Sequence, residues 1–306
     1  MKTSNKLKFL GIFFFLNSLI ISAQISKIFN GIEFNESLVA VEKKIRLISS
    51  NIGIYKISTP SFPLSNNKEE HLIASKVVLK NGIVDQVAFT FSDNKLSLIQ
   101  AKGNVIKSIV ANIKSEARAY LDYQVYMDEL LFIHEKNDTA WLLTKTGVHP
   151  NLFAWNNPYL DLKNTSEVAY NPSVKIPGFI KMGENIAVLK PLLQKNSNFV
   201  NEENLGEEGG ISKAQINCFG IEFAGFSRKF EARFENNKLT KVWILTAKAE
   251  ENRIRKKLID QYGKALFTND KWEVFNNWTV LLRKDKPEIL VLNKSLAAKY
   301  KKQYTK

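Results

Sequence analysis

One cysteine and three histidines in 306 residues leave little room for metal, disulfide or thiol chemistry. A single Cys cannot close an internal bridge, so the fold has to be held by its hydrophobic core. Cys218 sits in the apolar run Ile216-Asn217-Cys218-Phe219 and reads as a small buried side chain rather than a nucleophile. His71, expected in a loop, His134 and His149 have no His or Cys neighbour at metal-ligand spacing, so no metal and no cofactor are expected. Glycine is also sparse where a nucleotide fold would need it. Gly209-Gly210 follows acidic loop residues and lacks the spacing and the helix of a phosphate cradle. No nucleophile-elbow sequence is present. Past the first two dozen residues, no apolar run approaches the ~20 residues that a membrane-spanning helix needs.

The opening residues are of a different kind. Lys2, Lys6 and Lys8 precede an apolar stretch from Phe9 to Ile21, followed by Ser22-Ala23-Gln24. This is the pattern of a secretory signal peptide, residues 1–23, cleaved near Ala23. An exported protein, periplasmic or secreted, is expected, without a transmembrane span in the mature chain.

The remainder matches itself. Residues 104–146 and 253–295 align without a gap at an offset of 149, Tyr123-Gln124-Val125-Tyr126 meeting Trp272-Glu273-Val274-Phe275. Gly31 to Leu38 and Phe179 to Ile186 align at 148, each leading into a helix with apolar residues at spacings of three and four. Asn35 or Ser37 is placed to cap the first of these, and Pro191 should kink or stop the second. A third pairing, Leu79 to Phe89 with Phe234 to Ile244 at offset 155, sets the turn Asn81-Gly82 against Asn236-Asn237. Strands over 123–134 and 139–145, then 271–283 and 287–293, close the two units, and a helix over 295–302 ends the chain.

The expected organisation is a tandem repeat of class α+β: a first unit over 24–150, an aromatic connector over 151–172, and a second unit over 173–306. Each unit should be an antiparallel sheet with helices packed on one face. The repeated phrase of Gly, apolar residues and a polar cap before a helix, set in a helix-plus-sheet unit, resembles secreted tandem-repeat proteins of the β-lactamase-inhibitor and BamE-like outer-membrane-assembly kind. That resemblance implies a non-catalytic envelope or secreted protein working through protein contacts.

Charge separates the units. The first carries 15 Lys and Arg against 13 Asp and Glu, the second 25 against 15. Outside the cytoplasm such a basic surface points to an envelope protein or an anionic glycan or lipid surface rather than nucleic acid. Candidate binding residues are Arg253, Arg255, Lys256 and Lys257 on the basic helix and Phe153, Trp155 and Tyr159 in the connector. The connector aromatics either anchor a partner or seal a joint between units. The loop Glu202 to Glu208 reads as a solvated acidic insertion able to rest on the helix around Arg255. No catalytic residue stands out. The expected function is therefore a non-catalytic binding protein of the cell envelope. The alternative is a hydrolase of envelope glycans or lipids, using paired carboxylates such as Asp128 or Glu222.

Overall fold

A computed structural model describes residues 28–160, 168, 170–206 and 212–305. The leader, part of the connector and the acidic residues Glu207 and Glu208 lie outside the described residues.

Unit one comprises α1 (Leu38–Ile45), β1 (Asn51–Ile57), β2 (Glu69–Leu79), β3 (Gly82–Ser92), β4 (Lys95–Lys102), α2 (Val105–Ser108), β5 (Arg118–Tyr120), β6 (Tyr123–Tyr126), β7 (Leu131–His134), β8 (Thr139–Leu143) and α3 (Lys145–Val148). Unit two comprises α4 (Ile186–Lys195), β9 (Phe199–Asn204), β10 (Ala214–Phe223), β11 (Phe226–Glu235), β12 (Lys238–Leu245), α5 (Glu251–Tyr262), β13 (Phe267–Thr268), β14 (Trp272–Phe275), β15 (Val280–Arg283), β16 (Glu288–Leu292) and α6 (Lys294–Tyr304). Each unit forms one eight-stranded antiparallel sheet. The strand order is β1-β2-β3-β4-β8-β7-β6-β5 in the first and β9-β10-β11-β12-β16-β15-β14-β13 in the second, the same path through the sheet. Strand dominates helix in both.

The ladders fix which residues correspond. Asn35 N–H donates to Leu96 O and Leu96 N–H to Glu36 O, just as Gly183 N–H donates to Leu239 O and Leu239 N–H to Glu184 O. The opening segments therefore match at 148, as expected, whereas the hairpins match at 143. Asp93-Asn94, joining β3 to β4, is the counterpart of Asn236-Asn237, joining β11 to β12. All four residues have positive φ, 50° and 65° in the first turn and 48° and 61° in the second. The expected partner, Asn81-Gly82, lies one hairpin earlier. Both hairpins carry an Asn-containing two-residue turn between apolar strands, so local turn chemistry does not distinguish them. A ladder irregularity recurs at the same place, between Thr90 and Phe91 and between Arg233 and Phe234. From β5 to β8 the offset of 149 holds strand by strand.

Of the other expectations, one cap is borne out and three details are corrected. Ser37 is the cap of α1, its Oγ accepting from Ala40 N–H at 3.3 Å. Helix α4 runs through Pro191 to Lys195. The proline is exposed, so the carbonyl that loses its partner one turn back can be hydrated while Leu189 and Leu193 stay buried. The single strands expected over 123–134 and 271–283 are each two strands, reversing near Leu130 and Trp278, whose φ values are 50° and 69°. The closing helix extends to Tyr304.

Burial is two-sided along the closing strands, so one covered face is too simple. Ile99, Ala101, Ala140 and Leu142 join a core with Val41 and Ile45 of α1 and Val105 of α2. Their alternates Leu98, Trp141 and Leu143 enter a second core with Leu152, Phe153, Trp155, Phe219 and Phe226. In unit two, Ile289 and Val291 pack toward Leu189, Leu193, Ile254 and Leu258. Leu290 and Leu292 pack with Leu296 and Ala297 of α6. The segment after the last strand thus covers corresponding strands in both units: the connector with unit two in one case, α6 in the other.

Candidate functional site

The sequence-derived aromatics and half of the basic residues meet at the joint between the units. After β8 the chain enters α3 and a 3-10 turn at Leu152–Ala154, then lies along the first sheet. Phe153 stacks on Phe132 at 4.5 Å. Trp155 meets Phe62 at 5.3 Å and Phe226 of unit two at 5.4 Å. Tyr159 stacks on Tyr55 at 4.4 Å. All three are at most 5% exposed and present little surface to a partner: Phe153 and Trp155 seal the joint against Phe219 and Phe226 of unit two, and Tyr159 packs on the first sheet. The backbone oxygen of Trp155 accepts from Trp141 Nε1 at 2.8 Å.

Beneath the connector runs a buried polar chain. His71 lies in β2, not in a loop, and is 1% exposed. Asn157 Nδ2 donates to His71 Nδ1 at 3.0 Å, leaving the ring's other N–H to donate to Glu69 Oε1, also at 3.0 Å. Glu69 Oε2 accepts from the backbone N–H groups of Ser61 and Phe62 at 2.7 and 2.8 Å. Burial works against the Glu69 carboxylate, but His71 and the two amides outweigh it and hold the pKa below the ordinary value. Glu69 thus orders the loop between β1 and β2 and is poorly suited to donate a proton. Gln100 and Asn157 continue the chain, the Asn157 N–H donating to Gln100 Oε1 at 2.7 Å.

Unit two grips the same loop. Arg253 donates to the carbonyl oxygens of Ser65, Ser61 and Phe62 at 2.6, 3.2 and 3.3 Å. It is held by Glu250, which also forms a two-pronged pair with Arg228 at 2.6 and 2.8 Å, both partners at most 2% exposed. The helical spacing of α5 explains the division of labour. Residues 253 and 257 are i,i+4 neighbours and share the face turned to the joint. Lys257 Nζ donates to Ala224 O at 3.0 Å, with burial first and then the nearby Arg253 and Arg228 charges lowering its pKa. Arg255 is instead paired with Glu273 and Glu251, and Lys256 alone of the four basic residues is exposed.

Two hollows flank the sealed joint. One, about 300 Å³, is bounded by Trp155, Tyr159, Glu69, His71, Tyr170 and Lys257. The other, about 660 Å³ and more polar, lies between Tyr123, Gln124, Asn137 and Asn156 of the first unit and connector and Asn198 and Phe199 of the second. Neither is bounded by Asp128 or Glu222. Both carboxylates are exposed, and Glu222 accepts only a long bond from Asn171 N–H, at 3.4 Å. The paired-carboxylate expectation therefore gains no geometry. Glu202 and Glu203 belong to the edge strand β9, where Glu202 pairs with Lys190, while Arg255 is occupied elsewhere. Among the described residues no group of three or more His, Cys, Asp or Glu converges on a metal-sized site, and no helix is long and apolar enough to cross a membrane.

The residues that sequence reading missed are Glu69, His71, Arg228 and Glu250. A faint signal existed for the first two, polar residues at i and i+2 sharing one face of an otherwise apolar strand. None existed for Arg228 and Glu250, which are 22 positions apart. Comparison with known protein families, with curated proteins and with solved structures finds no match for this chain.

Proposed function

We propose that the protein is an exported, non-catalytic binding protein whose second unit engages a phosphate- or carboxylate-bearing glycan or lipid surface of the cell envelope. The observation that carries this reading is α6. It contains no acidic residue, and Lys294, Lys299, Lys301 and Lys302 are all exposed. Leu296, Ala297, Tyr300 and Tyr304 fasten its other side to the second sheet. The charges are thus displayed on an anchored element, in contrast to Arg253, Arg255 and Lys257, which spend their hydrogen bonds inside the protein. Export rests on the leader pattern, and the envelope setting follows from it.

Co-sedimentation of residues 24–306 with vesicles of neutral phosphatidylcholine, with and without phosphatidylglycerol, and with a soluble anionic polysaccharide tests the reading and separates its two sources. A basic side chain near an anionic surface contributes about 1 kcal/mol, so changing the four lysines to Gln should weaken binding on the order of a thousandfold. High salt should act in the same direction. Equal recovery with neutral and anionic carriers, or an unaffected quadruple variant, would remove this reading.

A further inference from the structure

We infer that the larger hollow at the joint is a binding site for a neutral saccharide, separate in place and chemistry from the α6 lysines. Among the described residues, the side chains of Gln124, Asn137 and Asn198 have no hydrogen-bond partner, and Asn156 uses only its Oδ1, which accepts from Gln100 Nε2 at 2.9 Å. All four border the hollow. A carboxamide offers one acceptor and two donors, which matches a sugar hydroxyl that both gives and takes a hydrogen bond.

An aromatic platform adjoins them. Phe199, half-buried at the start of β9, lies flat on Phe219 at 4.3 Å with an interplanar angle of 15°, and Lys229 Nζ sits 5.6 Å from the centroid of Phe219. Phe199 is therefore backed by a packed stack and still has surface to offer. Tyr123, 6.3 Å from Phe199, adds an edge. Apolar ring surface beside fixed polar groups is the composition of small-ligand clefts, and about 660 Å³ falls inside their usual range of ~300–1,000 Å³.

The charges disfavour an anionic ligand. Asp122 and Glu135 stand against Lys136 at the rim, so an anionic ligand gains nothing there. The cleft also needs both units: Asn198 and Phe199 come from the second, the remaining groups from the first and the connector. The buried grip of Arg253 on the loop at Ser61 to Ser65 holds these halves in register.

The test is calorimetric titration of residues 24–306 with neutral trisaccharides of glucose, of N-acetylglucosamine and of mannose, at low and high salt. At least one should bind, with an affinity indifferent to salt. Asn198→Ala and Gln124→Ala, both on accessible positions, should each weaken it about 2- to 10-fold with the melting temperature unchanged. Phe199→Ala should weaken it about tenfold. Absence of heat with every sugar overturns the inference. So does binding that all three variants retain. The Lys→Gln variant of α6 should bind the sugar normally, so failure of either reading leaves the other standing.

Discussion

Replacing Glu250 by Gln removes a charge from the best-buried ionic cluster in the molecule. The carboxylate accepts from Arg228 Nη1 at 2.6 Å, Arg228 Nη2 at 2.8 Å, Arg253 Nη2 at 3.2 Å and the Ala247 N–H at 2.9 Å. A glutamine fills nearly the same volume but keeps one acceptor oxygen and turns an N–H₂ toward a guanidinium. Arg228 is 2% exposed and cannot be rehydrated in place. Breaking one side of such a buried pair costs about 3–5 kcal/mol, because the remaining charge is left uncompensated. Against a typical total of ~5–15 kcal/mol this is a large fraction. Urea unfolding followed by far-ultraviolet circular dichroism should report the loss directly. Converting both residues in Arg228→Met/Glu250→Met removes the two charges together and should recover part of the stability, since well-packed apolar replacements of buried pairs are often neutral, while Arg253 and the Ala247 N–H still lose their acceptor. A loss below about 1 kcal/mol in Glu250→Gln, or a double variant weaker than the single one, would refute the reasoning that the pair is desolvated and interdependent.

Two further outcomes concern buried titratable groups. Glu69 has a folded-state pKa below its ordinary 4.5, so its ionised form contributes stability above that value, and the contribution is lost as pH falls through the lower folded value. Unfolding curves between pH 6 and 3 should therefore be flatter for Glu69→Gln than for the parent protein; identical slopes would mean that its hydrogen bonds to His71, Ser61 and Phe62 do not favour the ionised form. Burial pushes the Cys218 thiol up to about 12, with a weaker opposing contribution from Ser197. At pH 8 a maleimide should label it only at the rate of unfolding, and rapid labelling of the native protein would contradict its buried placement.

How much of this was legible without coordinates depends on the range of the interaction. The match of Tyr123-Gln124-Val125-Tyr126 to Trp272-Glu273-Val274-Phe275 survives as β6 and β14, at corresponding places in two sheets of one strand order. The capping Ser37 and the left-handed Asn236-Asn237 turn were also readable, because a cap and a two-residue turn are decided within a few residues. The same locality misled at Asn81-Gly82: the loop there is Lys80-Asn81, since Gly82 pairs with Leu79, Asn81 is not left-handed, and the hairpin is the one before the counterpart of Asn236-Asn237. At His71, the last residue of a polar run read as loop is a strand residue satisfied by Glu69, two positions away, and by Asn157, 86 positions away.

The sequence alone determined the duplication, the hairpins and the charge excess of the second half, since periodicity, turn chemistry and composition are local quantities. Only the tertiary structure decided what those features are used for. Trp155 and Arg253 face inward because both units expose apolar strand faces that must be covered, and the connector lies between them. The lysines of α6 face outward because Leu296 and Ala297 give that helix one apolar side, and the second sheet had a matching face left to bury. Which surface covers which is a competition among distant parts of the chain, settled by the apolar area each pairing removes from water.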